Sequence, residues 1–97
     1  MDRMIYLNTL YDIYKDLLTD KQKEYYEAYY FDNLSLSEIA ENFDVSRNAV
    51  FNQLKIIEEK LTEYEEKLKI NEKQCKILSI LDKKASKELY EEIKRII

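Results

Sequence analysis

The chain has 97 residues and contains no glycine, no proline, no histidine and a single cysteine. Those absences exclude a glycine-rich phosphate loop, a dinucleotide-binding turn, His-based triads, the common zinc-ligand sets within one chain and an internal disulfide. The net charge of −4 is unevenly spread: residues 1–66 carry seven Lys/Arg against fifteen Asp/Glu, residues 67–97 nine against five, so an acidic body of −8 precedes a basic tail of +4. With 45% hydrophobic and 37% charged residues, the composition suits amphipathic helices and is too apolar for a disordered chain. Met1–Asn8 holds no uninterrupted apolar run of signal-peptide length, and no stretch approaches the ~20 apolar residues that span a bilayer. The expected location is the cytoplasm, without membrane insertion.

In chain order, Met4, Leu7, Tyr11, Tyr14 and Leu18 recur three or four apart and predict one apolar helix face. Thr19 with Gln22 three residues on has the pattern of a capping box. It opens a second helix over about Asp20–Asp32, in which Tyr25 and Tyr29 are expected to face inward and Tyr26 and Tyr30 to form a partly exposed neighbouring stripe. Helical spacing already accounts for these tyrosines as packing residues, ahead of a base-stacking surface. Asn33 is placed to end this helix in the left-handed conformation that glycine would otherwise take.

The stretch Leu34–Leu54 is the most informative. Ser35 and Glu38 form a second capping-box pattern. Ile39 and Phe43 lie one helical turn apart on a buried face, and Ala40 is small where a following helix must approach. Asp44 occupies the turn, Val45 plugs the angle between the two helices, Ser46 caps the next helix, and Val50 and Leu54 point back to the core. This is the pattern of a helix-turn-helix. Asp stands at the turn position that usually holds Gly, at a cost of order 1 kcal/mol.

Beyond the motif, Val50, Leu54, Ile57, Leu61, Tyr64 and Leu68 continue a seam of alternating four- and three-residue steps. The seam serves either packing of one long helix on the first helix or pairing in a dimer. Glu58, Glu59, Glu63, Glu65 and Glu66 keep the rest of that helix acidic, so phosphates are expected only along its first two turns. Asn71 is the expected interruption. The tail then repeats Ile77, Leu78, Leu81, Ala85, Leu89, Ile93 and Ile96, with a break near Asp82–Ser86 and Ser86 as cap. An apolar face of this length must fold back on the domain or pair with another chain. Cys75 has no thiolate-stabilising partner and is expected to be inert.

The predicted fold is therefore all-α: a helix-turn-helix domain of three or four helices over residues 1–70, with a long fourth helix, and an amphipathic helical tail over 71–97. The residues able to reach bases are those exposed near the start of the fourth helix, namely Ser46, Arg47, Asn48, Phe51, Asn52 and Lys55. Arg pairs with guanine and Asn with adenine in the major groove, while Ser46 and Lys55 suit phosphates. Phe51 suits a thymine methyl, an unpaired base or a protein partner. No catalytic residue, metal ligand or cofactor site is predicted: Glu65 and Glu66 point to different sides of a helix, and nothing else pairs for acid–base work. The spare apolar stripes predict a homodimer.

The run Leu18-Thr19-Asp20-Lys21-Gln22-Lys23, Tyr29-Tyr30, Leu36-Ser37-Glu38-Ile39-Ala40-Glu41, Val45-Ser46-Arg47-Asn48-Ala49-Val50-Phe51 and Glu63-Tyr64-Glu65-Glu66-Lys67-Leu68 resembles the YlxM family. These are small bacterial helix-turn-helix proteins similar to region 4 of sigma factors. The resemblance covers roughly residues 4–70. Asn48 stands where the family commonly has Gln, and Asn52-Gln53 where an Asp-Asn pair often follows the aromatic; both keep amide chemistry. The family's genes typically neighbour those of the signal recognition particle GTPases. The resemblance implies an accessory or regulatory role in that targeting pathway, with DNA or the particle's RNA as ligand, particle components as partners and no catalytic site. The competing expectation is a protein-interaction module that keeps the fold with little nucleic-acid binding, motivated by the acidic surface and Phe51.

Overall fold

A computed structural model describes residues 2–97. Among these residues six helices follow one another: α1 (Arg3–Tyr14), α2 (Asp20–Tyr30), α3 (Leu36–Phe43), α4 (Arg47–Leu68), α5 (Ile70–Lys84) and α6 (Lys87–Ile96), with a single 3-10 turn, Lys15–Leu17, after α1. The described residues contain no strand.

The helix starts follow local chemistry. Thr19 Oγ1 accepts from Gln22 N–H at 3.1 Å while Gln22 Oε1 accepts from Thr19 N–H at 3.0 Å. Ser35 and Glu38 do the same for α3. These reciprocal bonds satisfy amides that the first helical turn leaves without partners. The capping bonds hold the exposed Glu38 carboxyl below its ordinary range. Ser86 caps α6 through Leu89 N–H at 3.2 Å. α2 ends at Tyr30 with Phe31 as its C-cap, two residues ahead of the expected end, and Asn33 takes the left-handed region at φ 56° within the connection that follows.

α4 is the spine of the body, lying against α1, α2 and α3. Val50, Leu54, Ile57 and Leu61 line its inner face and close on Leu10, Tyr11, Tyr14, Leu18, Tyr25, Tyr26, Ile39 and Ala40. Within the chain the α4 seam thus packs on the body. Its last predicted member, Leu68, is exposed, because the helix ends there and no neighbour covers it. Met4 is also exposed at the outer end of α1, whereas Leu10, one turn beyond Leu7, is fully buried.

The tyrosines of α2 depart from the periodic expectation. Tyr26 is 0% exposed and Tyr29 37%, the reverse of their predicted places. Tyr26 stacks on Tyr11 of α1 with ring centroids 4.2 Å apart, and Tyr25 meets Phe43 of α3 at 4.7 Å. α2 is enclosed from two sides at that level, and Tyr29, one turn later, lies past the enclosure. The phenols are satisfied in pairs: Tyr11 donates to Glu27, Tyr26 to Asn8 and Tyr30 to Glu58. Burial, with carboxylates beside them, raises the pKa of Tyr11, Tyr26 and Tyr30 well above the ordinary phenol value. Among the described residues no buried side-chain polar atom lacks a partner.

The interruption predicted at Asn71 falls two residues earlier. Lys69 takes φ 55° and separates α4 from α5. Glu65, buried in the last turn of α4, accepts from Asn71 N–H and Glu72 N–H at 3.1 Å each and from the Tyr14 hydroxyl at 2.7 Å. Tyr14 in turn accepts from Ile70 N–H at 3.2 Å. The cap of α5 is therefore supplied by the preceding helix and by α1, not by the residue before it. α5 packs on α1 and α4 near this root, and α6 packs on α5. The two helices contain no buried residue, and they project as an arm that lengthens the molecule to 53 Å against 25 and 23 Å. Within one chain, the apolar tail does not fold back to complete a core.

Candidate nucleic-acid interface

The geometry of the candidate interface is set by the turn between α3 and α4. Asp44 adopts φ 54°, ψ 49°. Asp44 N–H donates to Glu41 O at 3.3 Å, and Val45 N–H reaches back to Ala40 O at 3.0 Å. This pair of bonds is the Schellman ending of a helix, with Asp where Gly is most comfortable. Val45 packs against the core just after it, and Ala40 is buried where α3 meets α4. Ser46, extended at φ −76°, ψ 156°, then accepts from Ala49 N–H at 3.0 Å and starts α4.

Asp44→Gly relieves a left-handed residue, a gain partly offset by glycine's greater freedom in the unfolded chain. The expected net stabilisation is about 0.5–1 kcal/mol, read as a melting temperature a few degrees higher. A melting temperature at or below that of the parent would show that Asp44 is not strained there.

All six predicted contact residues are exposed: Ser46, Arg47, Asn48, Phe51, Asn52 and Lys55. Their positions, one and four residues apart along α4, put Arg47, Asn48, Phe51, Asn52 and Lys55 on one side of the helix. Val50, Leu54 and Ile57 fix the opposite side in the core, so the helix cannot roll to hide that face. Ser46 Oγ is already engaged as an acceptor in the cap, which leaves its hydroxyl hydrogen for an outside acceptor.

Arg47 and Lys55 are free of ion pairs among the described residues; the bridges there are Arg3–Glu58, Lys23–Asp20, Lys67–Glu63 and Lys76–Glu72. Glu58, nearest along the helix to Lys55, is instead held by the Tyr30 hydroxyl at 2.7 Å and by Arg3 at 3.8 Å. The face therefore offers two uncommitted cations, two amide side chains and the positive end of a helix, with exposed Asp44 and Glu41 close by. It is a hydrogen-bonding face more than a strongly cationic one.

A recess flanks it that periodicity did not reveal. Tyr29, Tyr30, Leu36, Phe51, Leu54 and Lys55 share its lining. Tyr29 was expected inside, and only the meeting of α2, α3 and α4 brings it beside Phe51. Among the described residues no group of three or more His, Cys, Asp or Glu side chains is arranged to hold a metal, and no helix is long and apolar enough to cross a membrane. Cys75 is exposed and unpaired.

Comparison with known proteins agrees with this architecture. The pattern of the UPF0122 family, helix-turn-helix proteins described as YlxM/p13-like, matches residues 1–96. A UPF0122 protein of Halalkalibacterium halodurans is 47% identical over 95 residues, covering 91% of this chain and 87% of its own length. One from Shouchella clausii is 48% identical over 73 residues, covering 75% and 67%. One from Bacillus cereus strain AH187 is 44% identical over 103 aligned positions, covering 100% and 93%.

Proposed function

This chain belongs to the UPF0122 family of YlxM/p13-like helix-turn-helix proteins, and we propose that it binds nucleic acid through the first three turns of α4, without a catalytic step. The observation that carries this reading is the exposure of Arg47, Asn48, Asn52 and Lys55 on one side of a helix whose other side is locked in the core. A side chain held this way reaches base edges with little freedom left to lose. Arg47 and the two asparagines supply base recognition, and Lys55 and Ser46 hold phosphate oxygens. The acidic body keeps non-sequence-specific attraction low. The ligand is DNA or the RNA of the signal recognition particle, and the protein acts in the cytoplasm as an accessory or regulator of that targeting pathway. The resemblance in Leu18–Lys23 and Val45–Phe51 supports this assignment and the likeness to sigma factor region 4. The working unit is a homodimer, which doubles a small cationic face.

The test is binding of the full chain to a duplex DNA and to a structured RNA, followed by anisotropy across a salt series. Arg47→Ala is expected to weaken binding about 10- to 100-fold, the loss of ~1–3 kcal/mol, and to relax the sequence preference, whereas Lys55→Ala flattens the salt slope by about one. No detectable affinity for either nucleic acid at low salt would overturn the reading. The recess beside Phe51 favours a second reading, a surface for a protein component of the pathway. On that reading Phe51→Ala, and not Arg47→Ala, abolishes co-purification with the component.

A further inference from the structure

The arm formed by α5 and α6 is helical, yet it contains no buried residue. Isolated helices of 15 and 10 residues are marginal in water, so most of their stability must come from covering an apolar face. Leu78, Leu81, Tyr90 and Ile93 are half-buried, while Ile77, Ile80, Leu89 and Ile96 stay exposed, Ile96 to 78%. The surplus surface can be sized. The molecule exposes 6997 Å², whereas a compact monomer of 11.8 kDa exposes about 5,900 Å². Its radius of gyration is 16.7 Å against about 12.5 Å for a compact chain of this length. The excess of roughly 1,100 Å² is enough to supply the ~800 Å² per partner that a stable interface buries.

Charge selects the partner. The arm, residues 70–97, holds seven Lys/Arg against five Asp/Glu, a net of +2, with Lys73, Lys76, Lys83 and Lys84 along α5 and Lys76 paired to Glu72. The body is −8, and the outer side of α4 gathers Glu58, Glu59, Glu63 and Glu66 around one open recess that Arg3, Lys55 and Lys67 also line; Glu58 pairs with Arg3 and Glu63 with Lys67, which leaves Glu59 and Glu66 without an ion pair among the described residues. Two arms laid on each other would bring like charges together, whereas an arm laid on a body brings opposite ones. A second copy of this chain offers such a body, and a two-fold arrangement uses every patch twice. We propose that the arm is an exchanged dimerisation element: the exposed apolar stripe Ile77, Ile80, Leu89 and Ile96 is covered by the body of a second copy, with the lysines of α5 against the glutamates of its α4. This rests on the homodimer named above and specifies its contact surface.

Sedimentation of the full chain tests the proposal. The parent is expected at twice 11.8 kDa, and Ile80→Asp with Ile96→Asp at the single mass. Both positions are exposed, so an unchanged near-ultraviolet tyrosine signal reports that the body remains folded. Lys83→Glu with Lys84→Glu is expected to weaken the dimer, and Glu59→Lys with Glu66→Lys added in the same chain to restore it. A parent that stays monomeric at its highest soluble concentration overturns the proposal. So does a dimer that survives the aspartates, that added salt strengthens, or that the second pair of charge reversals does not restore. Nucleic-acid binding is followed on the same samples. A parent that stays monomeric yet binds through Arg47 shows failure of the arm without failure of the interface, and a parent that dimerises but binds no nucleic acid shows the reverse.

Discussion

Tyr26→Ala is expected to destabilise the protein by about 3–5 kcal/mol, the range for removing a large buried aromatic side chain. Tyr26 is fully buried between α1 and α2, with Tyr11 stacked on one side and Tyr30 4.5 Å away. Alanine would leave a void that touches three rings, those of Tyr11, Tyr30 and Phe31, and the lost contacts are not recovered by collapse of a small helical body. A domain of this size has total stability of roughly 5–15 kcal/mol, so a large share is lost. Tyr26→Phe separates packing from polarity: it keeps the stack and removes only the hydroxyl that donates to Asn8, at about 1 kcal/mol. Urea unfolding followed by circular dichroism measures both. Equal midpoints for the alanine and phenylalanine variants would show that the ring itself contributes little.

The second large effect is expected at Glu65. Its buried carboxylate accepts from Tyr14 and from two amides of α5, and it is the only side-chain acceptor those amides have among the described hydrogen bonds. Glu65→Ala strands a buried phenol and uncaps α5, a cost of about 2–4 kcal/mol when a charge-assisted acceptor is removed from buried donors. Glu65→Gln keeps one acceptor oxygen in place of two and adds donors that face other donors, so it recovers only part of the loss. The damage is expected at the root of the arm. Hydrogen exchange should quicken at Ile70, Asn71 and Glu72 before it quickens in the α4 core. If exchange at those amides is unchanged while the core loosens, Glu65 acts through packing alone and not as a cap.

Both sites lie where the primary structure was least informative. Thr19 with Gln22, Ser35 with Glu38, Ser46 and Ser86 were legible because a cap is a contact over three residues. Asp44 and Asn33 were legible for a similar reason, since a chain without glycine leaves few residues for left-handed positions. Lys69 carried no such mark. Its left-handed backbone follows from the way Glu65 and Tyr14 hold the start of α5, an arrangement between positions 51 residues apart in the chain. The exposure of the six candidate contact residues was readable because the first turns of a helix tied down by Val50 and Leu54 have one outward side. Tyr29 was not, since its exposure depends on where α2 ends relative to its neighbours.

The amino-acid order by itself determined the helices, the caps of α2, α3, α4 and α6 and the outward side of α4, because these follow from residue type and from spacings of three and four along one chain. Tertiary structure decided which tyrosines are enclosed, that the arm springs from Lys69, and that its apolar stripe stays uncovered within a single chain. Those outcomes depend on distances between helices, and the period of one helix carries no information about where its neighbours stop.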